Sequence, residues 1–83
     1  MSIERNVDDI LSAADDSVAL INGISDGSWS VEGLEQSEIN DMVQRNVDHL
    51  NIVLAYEEVV ADSRDKSSYT DAVSVGDAYI AAN

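Results

Sequence analysis

Apolar residues recur every three or four positions along most of this chain, and the chain contains no proline. Near the start they fall at Ile3, Val7, Ile10, Ala14 and Ile21, with Leu11 and Val18 beside them. At about 100° per residue these positions form one helical stripe, and the acidic residues between them lie outside it. Long helices can continue because no proline removes a backbone donor. The pattern predicts a first helix that stops at Asn22-Gly23, two residues that tolerate the left-handed conformation.

A loop is predicted for residues 23–33, which read "GISDGSWSVEG" and contain three of the four glycines. We expect Trp29, within this loop, to fold back over the small core, because burial of a large aromatic side chain is strongly stabilising. Residues 22–33 also resemble a calcium-binding EF-hand loop with Gly27 in the turn position. Ile24 and Gly33 then stand where oxygen ligands are required, so an ordinary polar turn is expected and no metal site.

A second helix is predicted from Ser30 or Ser37, either of which can cap a helix, to Ala61. Two seams run along it with alternating spacings of three and four residues. The first seam is Ile39, Val43, Asn46, Leu50, Val53, Glu57 and Val60, and the second is Arg45, His49, Ile52, Tyr56 and Val59. The seams lie about 100° or more apart around the helix, so they require two neighbours.

Glu57 is a charged residue in the otherwise apolar part of the first seam. Its position has three possible explanations, in order of preference: the helix ends at Glu57, the carboxylate reaches Arg64, or the carboxylate borders a polar site.

A polar turn is predicted for residues 62–68, "DSRDKSS", followed by a short third helix. Ser68 and Asp71 form a loose capping box, and apolar or small residues then recur on one face at Tyr69, Val73, Gly76 and Ile80. The β-branched residues near Gly76 leave a strand over residues 73–80 as the alternative. The predicted fold is all-α, a small three-helix bundle of two long helices and a short C-terminal helix. We expect one domain over residues 1–83, with oligomerisation as a further source of stability.

The chain carries 17 acidic and 4 basic residues, for a net charge of −13. This charge opposes binding to nucleic acid or to an anionic membrane, since both need Lys and Arg to replace counterions. The N-terminal residues lack the basic and apolar regions of a signal peptide, and no stretch approaches about 18 uninterrupted apolar residues. A soluble, cytoplasmic protein with no direct nucleic-acid or membrane contact is expected.

Catalytic, cofactor and metal sites are not expected. Adjacent residues on a helix point about 100° apart, so neither Asp8-Asp9 nor Asp15-Asp16 can hold one ion jointly, and a solvated face is expected for both doublets. His49 is the single histidine and cysteine is absent, so a triad or metal site lacks partners. Nucleotide-binding patterns are also absent. We therefore expect no enzyme activity, no cofactor and no small-molecule substrate.

The runs "VQRNVDHLNIVLA" (residues 43–55) and "YIAAN" (residues 79–83) resemble stretches of small helical proteins encoded by tailed bacteriophages. The resemblance covers roughly a quarter of the chain and includes no diagnostic motif, so no functional residue is carried over. Such phage proteins are mostly virion components, assembly factors or accessory proteins. The resemblance implies protein–protein interaction in the virion or in the host cytoplasm.

The function expected is a small structural or protein-interaction module that self-associates or docks on a protein partner. The interface expected is the second seam, Arg45, His49, Ile52, Tyr56 and Val59, because its apolar character exceeds that of an ordinary solvated face. A closed bundle in which the third helix covers this seam is almost equally favoured. The alternative function is an acidic inhibitor that imitates nucleic-acid charge and binds a DNA-binding enzyme. Acidic residues seven positions apart in the first helix lie about 10.5 Å from each other, which matches the phosphate repeat poorly.

Overall fold

A computed structural model of the chain describes residues 3–83, with side chains from Asn6 onward. Its helices are α1 Ile3–Asp26, α2 Gln36–Ala55, α3 Glu57–Ala61 and α4 Ser67–Ala82. No strand occurs within this described range, and α4 covers the residues for which a strand was the alternative. The all-α prediction is confirmed: α1, α2 and α4 form the three-helix bundle, and α3 is an added short helix.

The bundle closes around one hydrophobic cluster, because α1, α2 and α4 each pack against the other two. The predicted stripe of α1 and the first seam of α2 supply most of this core. The buried members are Val7, Leu11, Ala14, Ile21 and Ile24 from α1 and Ile39, Val43, Val47, Leu50 and Val53 from α2. The 3.6-residue periodicity therefore identified the inward faces of both long helices.

The first helix continues past the predicted stop at Asn22-Gly23 and ends at Asp26. The extra turn places Ile24 in the core, where it is buried. Gly27 follows with φ of +83°, and it supplies the left-handed residue that closes the helix. The prediction was wrong by one turn, because burial of Ile24 outweighs the modest cost of Gly23 inside a helix.

Trp29 folds back as predicted, since its backbone N–H donates to the Gly23 carbonyl at 2.9 Å. Its side chain lies against Gly23, where an added Cβ would come within 3.0 Å of Trp29 Cβ. The indole nevertheless remains 41% exposed, so Trp29 packs on the end of α1 and does not cover the core. The expected role as a lid is therefore only half right.

The predicted N-caps of the second and third helices are wrong. α2 begins at Gln36 after Glu35, so neither Ser30 nor Ser37 caps it. α4 begins at Ser67, one residue before the predicted cap Ser68. Asp65 accepts hydrogen bonds from the Ser67 backbone N–H and from Ser67 Oγ, both at 2.9 Å. A carboxylate before the helix thus satisfies a donor of the first turn, because ionised acceptors suit this end of a helix.

Candidate functional site

The second seam of the predicted helix divides between surface and core. Ile52 and Tyr56 are 54% and 43% exposed, and Arg45 is exposed as well. His49 is half-buried and turns toward α1, whereas Val59 is fully buried at 0% exposure. The expectation that all five residues share one surface is therefore corrected at Val59, which belongs to the core.

A break at Tyr56 explains why Val59 is buried. Tyr56 has φ of −66° and ψ of 133°, an extended conformation between α2 and α3. In a continuous helix the residues that follow Val53 into the core would be Glu57 and Val60, at spacings of four and three. After the break Val59 takes that place instead, while Val60 is 66% exposed. The single extended residue shifts the helical phase by about one position.

Glu57 supplies the physical reason for the break. A continuous α2 would carry its carboxylate into the apolar seam, and an unpaired buried carboxylate is very costly. In the structure Glu57 is exposed in the first turn of α3. The preferred explanation, that the helix ends at this point, is confirmed, and Arg64 forms its ion pairs with Asp8 and Asp62 rather than with Glu57.

The break leaves an apolar surface at the junction of the two helices. Ile52 lies four residues before Tyr56, and Val60 lies four residues after it and donates its N–H to the Tyr56 carbonyl at 2.9 Å. We refer to these three exposed residues, Ile52, Tyr56 and Val60, as the α2–α3 surface. Three large apolar side chains exposed within nine residues of the chain make this junction a candidate protein-interaction site.

A cleft of about 330 Å³ adjoins the α2–α3 surface at Tyr56. Its lining combines an apolar residue, an aromatic ring, an amide and two carboxylates, from Asn6, Asp9, Ile10, Tyr56 and Glu58. The chemistry suits a side chain that is apolar along its length and cationic or hydrogen-bonding at its end. The cleft was not predicted, because it depends on the break at Tyr56 bringing α3 beside α1.

A second candidate is the polar cluster that joins α1 to α2. Ser17 Oγ donates to Asn46 Oδ1 at 2.8 Å and lies 2.8 Å from His49 Nδ1. Asn46 Nδ2 donates to the Met42 carbonyl at 2.7 Å, which fixes the amide orientation. Since the Ser17 proton is used by Asn46, His49 Nδ1 must be the donor in its contact with Ser17.

This assignment gives Ser17 a structural rather than a nucleophilic geometry. Ser17 is only 4% exposed, and a serine activated by histidine would donate its proton to the ring nitrogen instead of receiving one. The cluster satisfies polar groups at the α1–α2 contact, and no buried side-chain N or O atom among the described residues lacks a partner. His49 is thereby drawn away from the expected interface.

Two basic residues are committed to the turn between α3 and α4. Arg64 bonds Asp8 of α1 at 2.7 Å and Asp62 at 3.0 Å, and Lys66 Nζ donates to the carbonyls of Asp62 and Arg64. The Arg64 backbone N–H, which donates to Asp62, lowers the pKa of that carboxyl. The hydrogen bond that the Arg64 guanidinium donates to Asp8 raises the pKa of Arg64. The ion pairs of Arg64 stabilise the turn between α3 and α4 and attach it to α1.

Asp15 also has a partner that the sequence did not reveal. Tyr69 OH donates to Asp15 Oδ1 at 2.8 Å and links α4 to α1. Burial and this hydrogen bond raise the pKa of Tyr69 to about 12. Asp8 and Asp15 thus form specific contacts, whereas a solvated face was expected for both doublets. The available signal was their spacing of seven residues, which places them on one flank of α1.

Among the side chains that the structure describes, from Asn6 onward, no three of His, Cys, Asp or Glu are grouped to hold a metal ion. Within residues 3–83, every helix is too short or too polar to cross a bilayer.

Comparison of the chain with protein-family models, curated proteins and solved structures gave no match.

Proposed function

We propose that this chain is a small, non-enzymatic protein-interaction module that docks on another protein through the α2–α3 surface. The observation that carries the proposal is the exposure of Ile52, Tyr56 and Val60, at 54%, 43% and 66%. The other exposed large apolar side chains, Trp29 and Leu34, lie in the loop before α2. The resemblance to small phage proteins fits such a module in a virion or in its assembly.

The position of α4 supports an external partner over an internal one. The closed-bundle alternative required the last helix to cover the second seam. α4 instead packs between α1 and the first seam, with Gly76 facing Val43 and Val47. Ile52 and Tyr56 therefore stay at the surface, where an apolar contact with a partner would remove them from water.

The alternative function, imitation of nucleic-acid charge, has less support. It relied on rows of acidic residues seven apart along α1. One such row is engaged within the protein, since Asp8 pairs with Arg64 and Asp15 accepts from Tyr69. An apolar surface at the helix junction also has no counterpart in a phosphate backbone.

Site-specific photo-crosslinking tests the proposal. A benzophenone amino acid is introduced at Ile52 or Val60, and at Ala78, which is exposed on α4, as the control. We expect positions 52 and 60 to capture the same protein and position 78 not to capture it. The captured protein, once purified, should bind the original chain and should lose binding to Ile52→Asp/Val60→Asp, because charge in a desolvated contact is costly. Equal labelling at all three positions, or unchanged binding of the double variant, would contradict the proposal.

A further inference from the structure

The charge of the chain constrains which partner the α2–α3 surface can accept. With 17 acidic and 4 basic residues, one-to-one pairing leaves most carboxylates without a cation. Two of the four cations, Arg64 and Lys66, are bound in the turn before α4. Beside Tyr56, Glu57 and Glu58 are both exposed. Negative charge therefore adjoins the surface on the α3 side of Tyr56.

Resting on the proposed function, we infer that the partner presents a basic amphipathic segment, with a Lys or Arg side chain in the cleft next to Tyr56. The apolar face of such a segment would cover Ile52 and Val60. The aliphatic stem of its Lys or Arg would lie along Ile10 and the Tyr56 ring, and the cation would approach Asp9 and Glu58.

The same charge opposes a second copy as the occupant. A symmetric dimer places the same patch of both subunits face to face. Each subunit carries a net charge of −13, and Glu57 and Glu58 of the two copies would border the same contact. Like charges across an interface disfavour association, whereas a basic segment is attracted and gains apolar burial as well.

Two matched peptides provide the probes. Both form amphipathic helices with the same leucine stripe, one with Lys and Arg on its flanks and the other with Gln at those positions. Each is titrated into the ¹⁵N-labelled full chain at low and at moderate salt. We expect the basic peptide to bind and to shift the amide resonances of Ile10, Tyr56 and Glu58. Its affinity should fall as the salt concentration rises. The Gln peptide should bind at least tenfold more weakly.

Variants of the chain separate a specific site from general attraction. Glu58→Gln should weaken binding of the basic peptide several-fold more than Glu32→Gln, which removes the same charge from an exposed loop position. Tyr56→Ala should weaken binding of this peptide at least tenfold. Equal effects of the two Glu variants, or amide shifts elsewhere on the bundle, would overturn the inference.

Other outcomes distinguish this inference from the proposed function. If the Gln peptide binds at Ile52 and Tyr56 as tightly as the basic one, apolar docking stands and the basic partner is refuted. If light scattering shows a dimer and the double variant Ile52→Asp/Val60→Asp dissociates it, apolar docking likewise stands and the basic partner is refuted. If neither peptide binds, the inference is overturned, and the crosslinking experiment judges the proposed function independently.

Discussion

Gly76 of α4 lies so close to Val47 of α2 that a Cβ atom at position 76 would overlap Val47 Cγ2. The same added Cβ would lie 3.4 Å from Ile21 of α1, so three helices meet at this glycine. Val47 is 1% exposed and β-branched, which leaves it little freedom to move aside. The separation of α2 and α4 is therefore set by the absence of a side chain at position 76.

Gly76→Ala is expected to destabilise the protein although alanine is the better helix former. Overpacking a tight core contact costs about 1–3 kcal/mol, and the helix propensity of alanine returns about 1 kcal/mol. A net loss of up to about 2 kcal/mol should appear in urea unfolding. Val47→Ala in the Gly76→Ala background should cost less than Val47→Ala alone, since it removes the overlapping methyl. Greater stability of the single variant would show that the helices separate freely.

Val59→Asp and Val60→Asp add the same charge at adjacent positions with opposite expected effects. Val59 is 0% exposed, so its replacement buries a carboxylate and should cost at least about 3 kcal/mol. Val60 is 66% exposed, and its replacement should stay within about 0.5 kcal/mol. Thermal unfolding followed by circular dichroism measures both. The reverse order of stabilities would mean that α2 continues without the break at Tyr56.

Tyr69 should make the protein sensitive to alkaline pH. Its pKa is raised from 10.0 to about 12, so the native state keeps the phenol proton that the unfolded chain releases. The resulting stability is fully present below pH 10 and is lost as pH rises through about 12, a loss on the order of 2 kcal/mol. In urea titrations between pH 9 and 12, the free energy of unfolding of Tyr69→Phe should not show this part of the decline. Tyr56→Phe, at an exposed phenol, serves as the control and should retain it.

Ser17→Ala should cost about 1–3 kcal/mol, because Asn46 Oδ1 loses its donor and His49 Nδ1–H loses its acceptor. Ser12→Ala, at an exposed serine of the same helix, is the matched control and should change stability by less than about 0.5 kcal/mol. Nitrogen-15 NMR of the neutral His49 ring should show the proton on Nδ1. A proton on Nε2 would reverse the assigned direction of the Ser17–His49 hydrogen bond.

The inward faces of the long helices could be predicted from the sequence, because burial imposes a simple period on residues such as Val7, Ile39 and Val53. The helix ends could not. Burial of Ile24 extends α1 through a Gly that favours a stop. Asp65, and not Ser68, accepts the hydrogen bond of the Ser67 backbone N–H at the start of α4. Such outcomes depend on tertiary packing and on competing polar groups, which local propensity does not register.

The candidate site was predicted in part. Ile52 and Tyr56 stood out as apolar residues away from the main seam, and both are exposed. Val59 was assigned to the same face because the helix was extended through Glu57 without interruption. The charged Glu57 in an otherwise apolar seam was the one available signal. It indicated that the helix breaks, but it did not indicate which face of α3 would be buried after the break. That face is fixed by which valine, Val59 or Val60, reaches the core.

The short helix α3 contributes a single buried side chain, Val59, to the bundle. Its other residues face water, so mutation there meets little constraint from folding, except at Glu57, whose charge ends α2. A lineage could exchange these outward residues one at a time and change what the protein recognises while the core stays intact. Divergence among descendants of such a chain would then accumulate around α3, leaving Val59 as the fixed point in a variable segment.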